Sequence, residues 1–290
     1  MSKKIAIVGI FYDGYYDIWE DFLELLSIHW HDCPYPVYIV DGEKDLAFEK
    51  KYQVSVIHAG IDAEYSNKVR KAVETVDADY YLLLLEDFFI EKDIRSDLME
   101  EIISKMEKNG IEYLRMPMGD FSGVGDSPKH AATADSASGF HFISQTSEYT
   151  VSCQPSIWKK EFLKQCIGKG NYNAWVFEGV YCTSRYAHSK RFLSRCRIDF
   201  NNLFSIRHGA VQGKMLPKVY EDFSKQNYQF KNKREILSGR SYKIYKMKQK
   251  LAAFLPHSVL QIVRRILKKK TIVEKYKPDI LKVMKLNGLK

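Results

Sequence analysis

Three carboxylates stand where an α/β enzyme keeps its chemistry. Asp41 follows the apolar run VYIV, and Glu86 and Asp87 follow YYLLLL and precede two phenylalanines. In parallel α/β sheets ligands bind beyond the carboxyl ends of the strands, so acids released there by buried strands are the first residues to consider. A strand can fix such a pair while it points into a cleft. Paired hard oxygens suit a divalent cation, which in turn neutralises phosphate. The alternative is that one acid caps the following segment and the other is solvated.

The elements that must position these acids are written in the hydrophobic pattern. KKIAIVGIFY is a continuous β-branched run, the pattern of a strand covered on both faces. Tyr15, Ile18, Trp19, Phe22, Leu25 and Leu26 then recur at three- and four-residue steps opposite Asp17, Glu20, Asp21 and Glu24, which predicts an amphipathic helix. VYIV and YQVSVIH read as strands, AEYSNKVRKAVETV as a helix with Val69, Ala72, Val73 and Val76 inward, and YYLLLLEDFFI as the most buried strand. A helix over Asp93–Lys108 and a strand in GIEYLRMPM follow. This alternation predicts an α/β domain with a mostly parallel central sheet and helices on both faces. Residues 119–138, rich in Gly, Ser, Asp and Ala, predict a mobile surface loop placed to act as a lid. Strands are expected again from FHFIS to TVSCQPSIW, then helices around 157–166 and 174–187.

Composition excludes several classes. At 45% hydrophobic and 28% charged, the 290 residues are neither disordered throughout nor collagen-like. No apolar run approaches the ~18 residues of a membrane-spanning helix and the start lacks a signal-peptide cleavage pattern, so a cytoplasmic location is expected. Five scattered cysteines without a C-x-x-C pair read as reduced packing residues. The net charge of +9 is uneven: residues 241–290 hold 14 Lys and Arg against 2 Asp and Glu, while the preceding body holds 31 against 34. In SVLQIVRRILKKK, six apolar residues from Val259 to Leu267 share one helical face, opposite Arg264, Arg265 and Lys268 to Lys270, after Pro256 and an N-cap Ser258. Ile244, Met247, Leu251 and Phe254 repeat the theme among Lys243, Lys246, Lys248 and Lys250. Such basic amphipathic helices suit an anionic membrane surface through residues 241–270. Docking of the apolar stripe on the body is the alternative, and nucleic acid is disfavoured because the body is acidic and no recognition motif is present.

The ordered set KIAIVGIFYDG, VYIVDGEK, YYLLLLEDFFI, SCQPSIWKKEFL, NAWVFE and RHGAVQGKM resembles GT-A-fold glycosyltransferases of bacterial surface-polysaccharide assembly, capsule or O-antigen type, over roughly residues 3–215. The resemblance implies a GT-A-like, Rossmann-like catalytic domain over 1–217, and the basic amphipathic pattern makes 218–290 a helical basic tail expected on the inner membrane face. It implies transfer of a sugar from a nucleotide-diphosphate donor to a saccharide acceptor carried on a lipid. By the same resemblance Phe11, Tyr12 and Asp41 would contact the base and ribose, and Ser66 and Arg70 the nucleotide and diphosphate. Glu86-Asp87-Phe88 matches the metal-binding D-x-D element but departs from it at the first acid and at the last position. Asp87 and His208 would hold a divalent cation, Mn or Mg, on the donor, with Glu86 beside it, and Lys214 would meet donor phosphate as a point charge.

An inverting hexosyltransferase also needs a carboxylate to take the proton of the acceptor hydroxyl. Glu178, framed by Trp175 and Phe177, is the candidate, since aromatic neighbours would raise its pKa by desolvation and offer stacking faces to a sugar ring. Its alternative is a helix-surface glutamate beside two core aromatics. The incomplete D-x-D element equally fits a non-catalytic membrane-surface or partner-binding protein on the same fold. A nucleotidyltransferase would want a glycine-rich phosphate loop, which GIFYDG does not supply.

Overall fold

The computed structural model describes residues 4–95, 97–118, 131–147, 149–254 and 270–289, without the side chains of 131, 132 and 249–254. Most of the expected lid, residues 119–130, and the amphipathic stretch 255–269 therefore lie outside the described residues.

The strands are β1 (Ile5–Ile10), β2 (Val37–Asp41), β3 (Ser55–His58), β4 (Tyr80–Leu84), β5 (Phe88–Ile90), β6 (Tyr113–Arg115), β7 (Ala131–Asp135), β8 (Phe140–Ile143), β9 (Ser156–Lys159), β10 (Cys196–Ile198), β11 (Ile206–His208), β12 (Ala210–Val211) and β13 (Lys214–Met215). The helices are α1 (Tyr16–His29), α2 (Glu49–Tyr52), α3 (Tyr65–Thr75), α4 (Leu98–Lys108), α5 (Lys160–Ile167), α6 (Ala174–Thr183), α7 (Lys190–Leu193), α8 (Pro217–Lys225), α9 (Gly239–Phe254), α10 (Ile272–Lys275) and α11 (Lys277–Leu286). One sheet runs in the order β3-β2-β1-β4-β9-β6-β10-β8-β7. Its pairings set β8 and β9 against the direction shared by the other strands, so the sheet is mostly parallel, as the alternating pattern predicts.

Two cores form because alternate residues of each central strand face opposite sides. Ile5, Ile7, Tyr80, Leu82 and Leu84 meet α1 and α4 on one side, while Ala6, Val8, Ile10, Tyr81 and Leu83 meet α3, α5 and α6 on the other. Each such burial contributes about 1.5–3 kcal/mol, and the sum makes β1 and β4 rigid arms whose carboxyl ends cannot wander.

Several sequence expectations are corrected. Residues 157–159 are strand rather than helix, because Ile157 enters the first core and Trp158 the second. Residues 131–135, expected within the loop, form β7 against β8. The buried Asp135 fastens that hairpin by meeting Arg197 Nε of β10 at 2.8 Å and Ser138 Oγ at 2.9 Å. Helix α4 starts at Leu98 because Ile94 is drawn to α1, its N–H donating to the His29 carbonyl at 2.7 Å.

The chain beyond residue 217 braces the body. Val219 and Phe223 of α8 are buried in the first core. The following segment returns along α1, where the fully buried Asp21 accepts from Tyr228 Oη and Lys231 N, both at 2.8 Å, and from Asn232 Nδ2 at 2.7 Å. Arg234 grips Asp17 at 2.6 Å and donates to the Gly14 carbonyl at 3.1 Å, tying this strap to the loop after β1. On α9, Tyr242 and Tyr245 pack toward the first core, whereas Ile244 and Met247 stay exposed. Among the described residues no helix is long and apolar enough to cross a membrane.

Helix α11 closes the second core by burying Ile280 and Val283 against α6. Glycine at 179 admits this contact without displacing Ile280, since a Cβ there would stand 2.3 Å from Ile280 Cδ1. Gly179→Ala is accordingly expected to cost about 1–3 kcal/mol by overpacking. Amide hydrogen exchange across 277–286 should quicken while the sheet is unchanged, and adding Ile280→Ala should restore protection. Unchanged exchange in Gly179→Ala would show that α11 does not seat on α6 this closely.

Candidate functional site

The carboxyl ends of β1 to β4 carry the polar residues. Register sets Asp41 opposite His58, and the fully buried Asp41 carboxylate meets His58 Nδ1 at 2.8 Å and the Lys44 N–H at 3.2 Å. Burial raises the Asp41 pKa above the ordinary carboxylate value, and the histidine only partly offsets this. The Phe11 ring lies in the core, 5.1 Å from both Trp19 and Phe22, so it forms the floor of the loop instead of a face for a nucleotide base. Tyr12, 64% exposed, is the aromatic presented to solvent at this edge.

Beneath that loop lies an arrangement that periodicity alone does not announce. Lys68 of α3 is buried, and its ammonium donates to the Phe11 carbonyl at 2.7 Å and to Asp13 Oδ1 at 3.0 Å. Asp13 also accepts from Gly42 N at 2.8 Å. A Cβ on Gly42 would stand 2.4 Å from Asp13 Oδ2, so a larger residue there would push the Asp13 carboxylate aside. Burial works to raise the Asp13 pKa, but the Gly42 N–H and the Lys68 ammonium outweigh it and hold the value below the ordinary range. The available signal for Lys68 was its place one turn before Ala72, on the inward face of α3.

Glu86 and Asp87 emerge from β4 and are both nearly buried. Glu86 Oε2 accepts from Tyr12 N at 3.2 Å, joining the end of β4 to the loop after β1. Burial, and then the neighbouring Asp87 charge, push the Glu86 pKa up to about 8. Asp87 turns the other way. Strand β11 pairs antiparallel with β5, His208 opposite Phe88, and this ribbon sets His208 Nε2 2.9 Å from Asp87 Oδ2. The Gly209 N–H donates to the Asp87 carbonyl at 2.7 Å and locks the register. That separation is a direct histidine–carboxylate contact, and it is also compatible with a divalent cation between them, because two cis ligands about 2.1 Å from an octahedral ion stand about 3 Å apart. Among the described residues no three His, Cys, Asp or Glu side chains converge, so donor phosphate and water would complete such a shell.

Glu178 lies on α6, where its Oε1 accepts from Cys153 N at 2.9 Å. Cys153 precedes β9, whose Ser156 pairs with Leu83, so Glu178 is anchored at the same edge of the sheet that releases Glu86 and Asp87. The expected aromatic frame is only half present. Phe177 is buried in the second core, 5.5 Å from Tyr65, while Trp175 stays half-exposed and Glu178 half-buried.

Three other expected donor contacts are engaged within the fold. Ser66 Oγ donates to the Gly170 carbonyl at 2.9 Å and accepts from Tyr172 N at 2.8 Å. Arg70 donates to the Gly168 carbonyl at 2.8 Å and to Asn67 and Gly170. Both thus hold the 168–172 loop on α3. Lys214, on the β12–β13 hairpin, pairs with Glu235 at 2.5 Å. Asp199, unremarked in the sequence, is buried at the end of β10 and accepts from Asn201 N at 2.8 Å and Leu203 N at 3.2 Å, setting the turn that leads into β11 and His208.

No protein-family model and no curated protein matches the sequence. Among solved structures, the chain is similar to S. aureus TarS 1–349 in complex with UDP-GlcNAc, with a TM-score of 0.49 and 13% identity over 88% of this chain and 68% of that one. It is also similar to S. aureus TarS (TM-score 0.48, 15% identity, 76% of this chain and 38% of that one). A third is glucosyl-3-phosphoglycerate synthase from Mycobacterium tuberculosis in complex with Mn2+, UDP-glucose and phosphoglyceric acid (TM-score 0.46, 9% identity, 72% of this chain and 73% of that one). The chain thus spans 38% of the S. aureus TarS structure and 57–58% of two structures of TarS 1–349.

Proposed function

We propose that this chain is a GT-A-like glycosyltransferase that moves a sugar from a nucleoside-diphosphate donor to a saccharide acceptor. The observation that carries the reading is the Asp87–His208 pair, assembled by the β5–β11 ribbon at the carboxyl end of β4 and flanked by the Asp41–His58 edge. In this reading Asp41, His58 and the loop after β1 take the nucleoside, with Tyr12 its exposed aromatic. Asp87 and His208 would hold a Mn or Mg ion, which supplies charge neutralisation of the departing diphosphate. Glu178 takes the proton of the acceptor hydroxyl as its oxygen forms a bond to the anomeric carbon. The bond from that carbon to the phosphate oxygen breaks, and its electron pair leaves with the diphosphate. This is a single inverting displacement.

The acceptor we assign is a lipid-linked saccharide of surface-polysaccharide synthesis. The catalytic unit is residues 1–217, with the segment after it serving as brace and basic tail. The tail would work at the inner membrane face: α9 leaves Ile244 and Met247 exposed among Lys243, Lys246 and Lys248, the chemistry of an anionic bilayer surface.

Thermal stabilisation by UDP, GDP, CDP and CMP, each with and without Mn2+, tests this reading, since a ligand of the native state raises the midpoint by mass action. One nucleoside diphosphate should raise it, and more so with Mn2+. A second reading, a nucleotide-sugar fold that binds membrane or partner without turnover, is favoured by the internal pairing of Ser66, Arg70 and Lys214 and by Phe88 in the D-x-D position. It predicts tail-dependent vesicle binding with no shift from any of the four nucleotides.

A further inference from the structure

The chain has four tryptophans, and three serve the cores: Trp19 and Trp158 are 0% exposed and Trp30 is 1%. Trp175 is 50% exposed. It occupies the first turn of α6, and Glu178 follows three residues later, so the two side chains share one helical face. The other faces of the helix are committed, with Phe177, Val180 and Tyr181 in the second core and Gly179 against Ile280.

The start of α6 is firmly placed. Asn173 caps it by accepting from Val176 N at 3.0 Å. Asn171 bridges to the loop beyond β3, donating to the Asp62 carbonyl at 2.8 Å and accepting from Glu64 N at 2.9 Å. That loop carries Ile61, 77% exposed. The indole is therefore held at the carboxyl edge of the sheet beside the carboxylate that would handle the acceptor hydroxyl.

A saccharide ring offers an apolar C–H face and a rim of hydroxyls, and its binding asks for a flat apolar surface next to hydrogen-bond acceptors. We propose that Trp175 is the platform for a saccharide ring of the acceptor, with Glu178 meeting a hydroxyl at its rim. The inference deepens the transferase reading and rests on it. A bilayer is the other surface an exposed indole suits. The α6 segment AWVFEGVYCT carries a carboxylate and no Lys or Arg, which disfavours anionic headgroups.

With the other three tryptophans buried, acrylamide quenching of the full-length protein reads Trp175. The probes are methyl glycosides of glucose, galactose, mannose and N-acetylglucosamine up to their solubility limits, with and without UDP, and phosphatidylglycerol vesicles. At least one glycoside should protect the indole saturably. Trp175→Ala should bind that glycoside about tenfold more weakly by calorimetry, while its stabilisation by nucleotide equals wild type. Nucleotide stabilisation with no protection by any glycoside overturns the platform. So does protection by vesicles alone, or a Trp175→Ala variant that loses nucleotide binding to the same extent. Glycoside protection without any nucleotide effect would discard the transferase reading and with it the acceptor assignment, leaving Trp175 a saccharide contact of another kind.

Discussion

Asp87→Ala is expected to lower release of nucleoside diphosphate from the donor about a hundred- to a thousandfold, the usual cost of removing one positioned electrostatic group from a reacting centre. Asp87 and His208 face each other at 2.9 Å and, in the proposed reaction, would act on the same departing charge. His208→Ala should therefore reproduce much of the loss, and the double variant should be little worse than the worse single one. Folding is expected to survive, because the Asp87 backbone keeps its bond from the Gly209 N–H and β5 keeps its ladder with β11. Circular dichroism and the melting midpoint check that point. Chelation of divalent cations should depress the wild type and leave the residual rate of Asp87→Ala unchanged. Full turnover by a folded Asp87→Ala protein would remove the pair from the mechanism and favour the binding-only reading.

How far the sequence is legible depends on whether the deciding partner is local. β1 and β4 announce themselves because both their faces are buried, which yields unbroken apolar runs, and Glu86 and Asp87 just after β4 follow by position alone. The Asp87–His208 contact needs the β5–β11 pairing, which strand-length segments do not specify; the resemblance, not the pattern, named His208. Ser66 and Arg70 look available from α3 itself. Apart from Asn67, their partners are Gly168, Gly170 and Tyr172, about a hundred residues onward, and no local feature marks that capture. Residues 131–135 resemble loop in composition, since β7 consists of Ala, Thr and Asp and depends on Arg197 from β10 to bury its acid. Phe177 and Trp175, two positions apart, must point to different sides of a helix, so they could not both frame Glu178.

The loop after β1 depends on a buried cation as much as on its own residues. Lys68 holds the Phe11 carbonyl and Asp13, Asp13 holds the β2 turn through Gly42, and Tyr12 between them reaches Glu86. Lys68→Met keeps most of the volume and leaves Asp13 half-buried without its counter-charge. Because Asp13 is partly exposed, removing its partner should cost less than the ~3–5 kcal/mol of a fully buried pair, about 1.5–3 kcal/mol as for a hydrogen bond to a charged group. For a protein of this size that is a fall in melting midpoint on the order of 5 °C. The pH dependence identifies the cause. Asp13 has a folded pKa below its ordinary 3.8, so its stabilising contribution is full above that value and is lost as pH falls through the lower one. Without Lys68 that pKa rises. The stability gap between wild type and Lys68→Met should therefore be widest at neutral pH and narrow as the solution is acidified. In a Lys68→Met, Asp13→Asn double variant the loss should fall short of the sum of the two single losses. If the gap stays constant from neutral to acid pH, the cost lies in packing and not in this charge pair. Nucleotide binding supplies a second reading of the same variant: a loop released from Lys68 should show a smaller midpoint shift with the nucleoside diphosphate that stabilises the wild type.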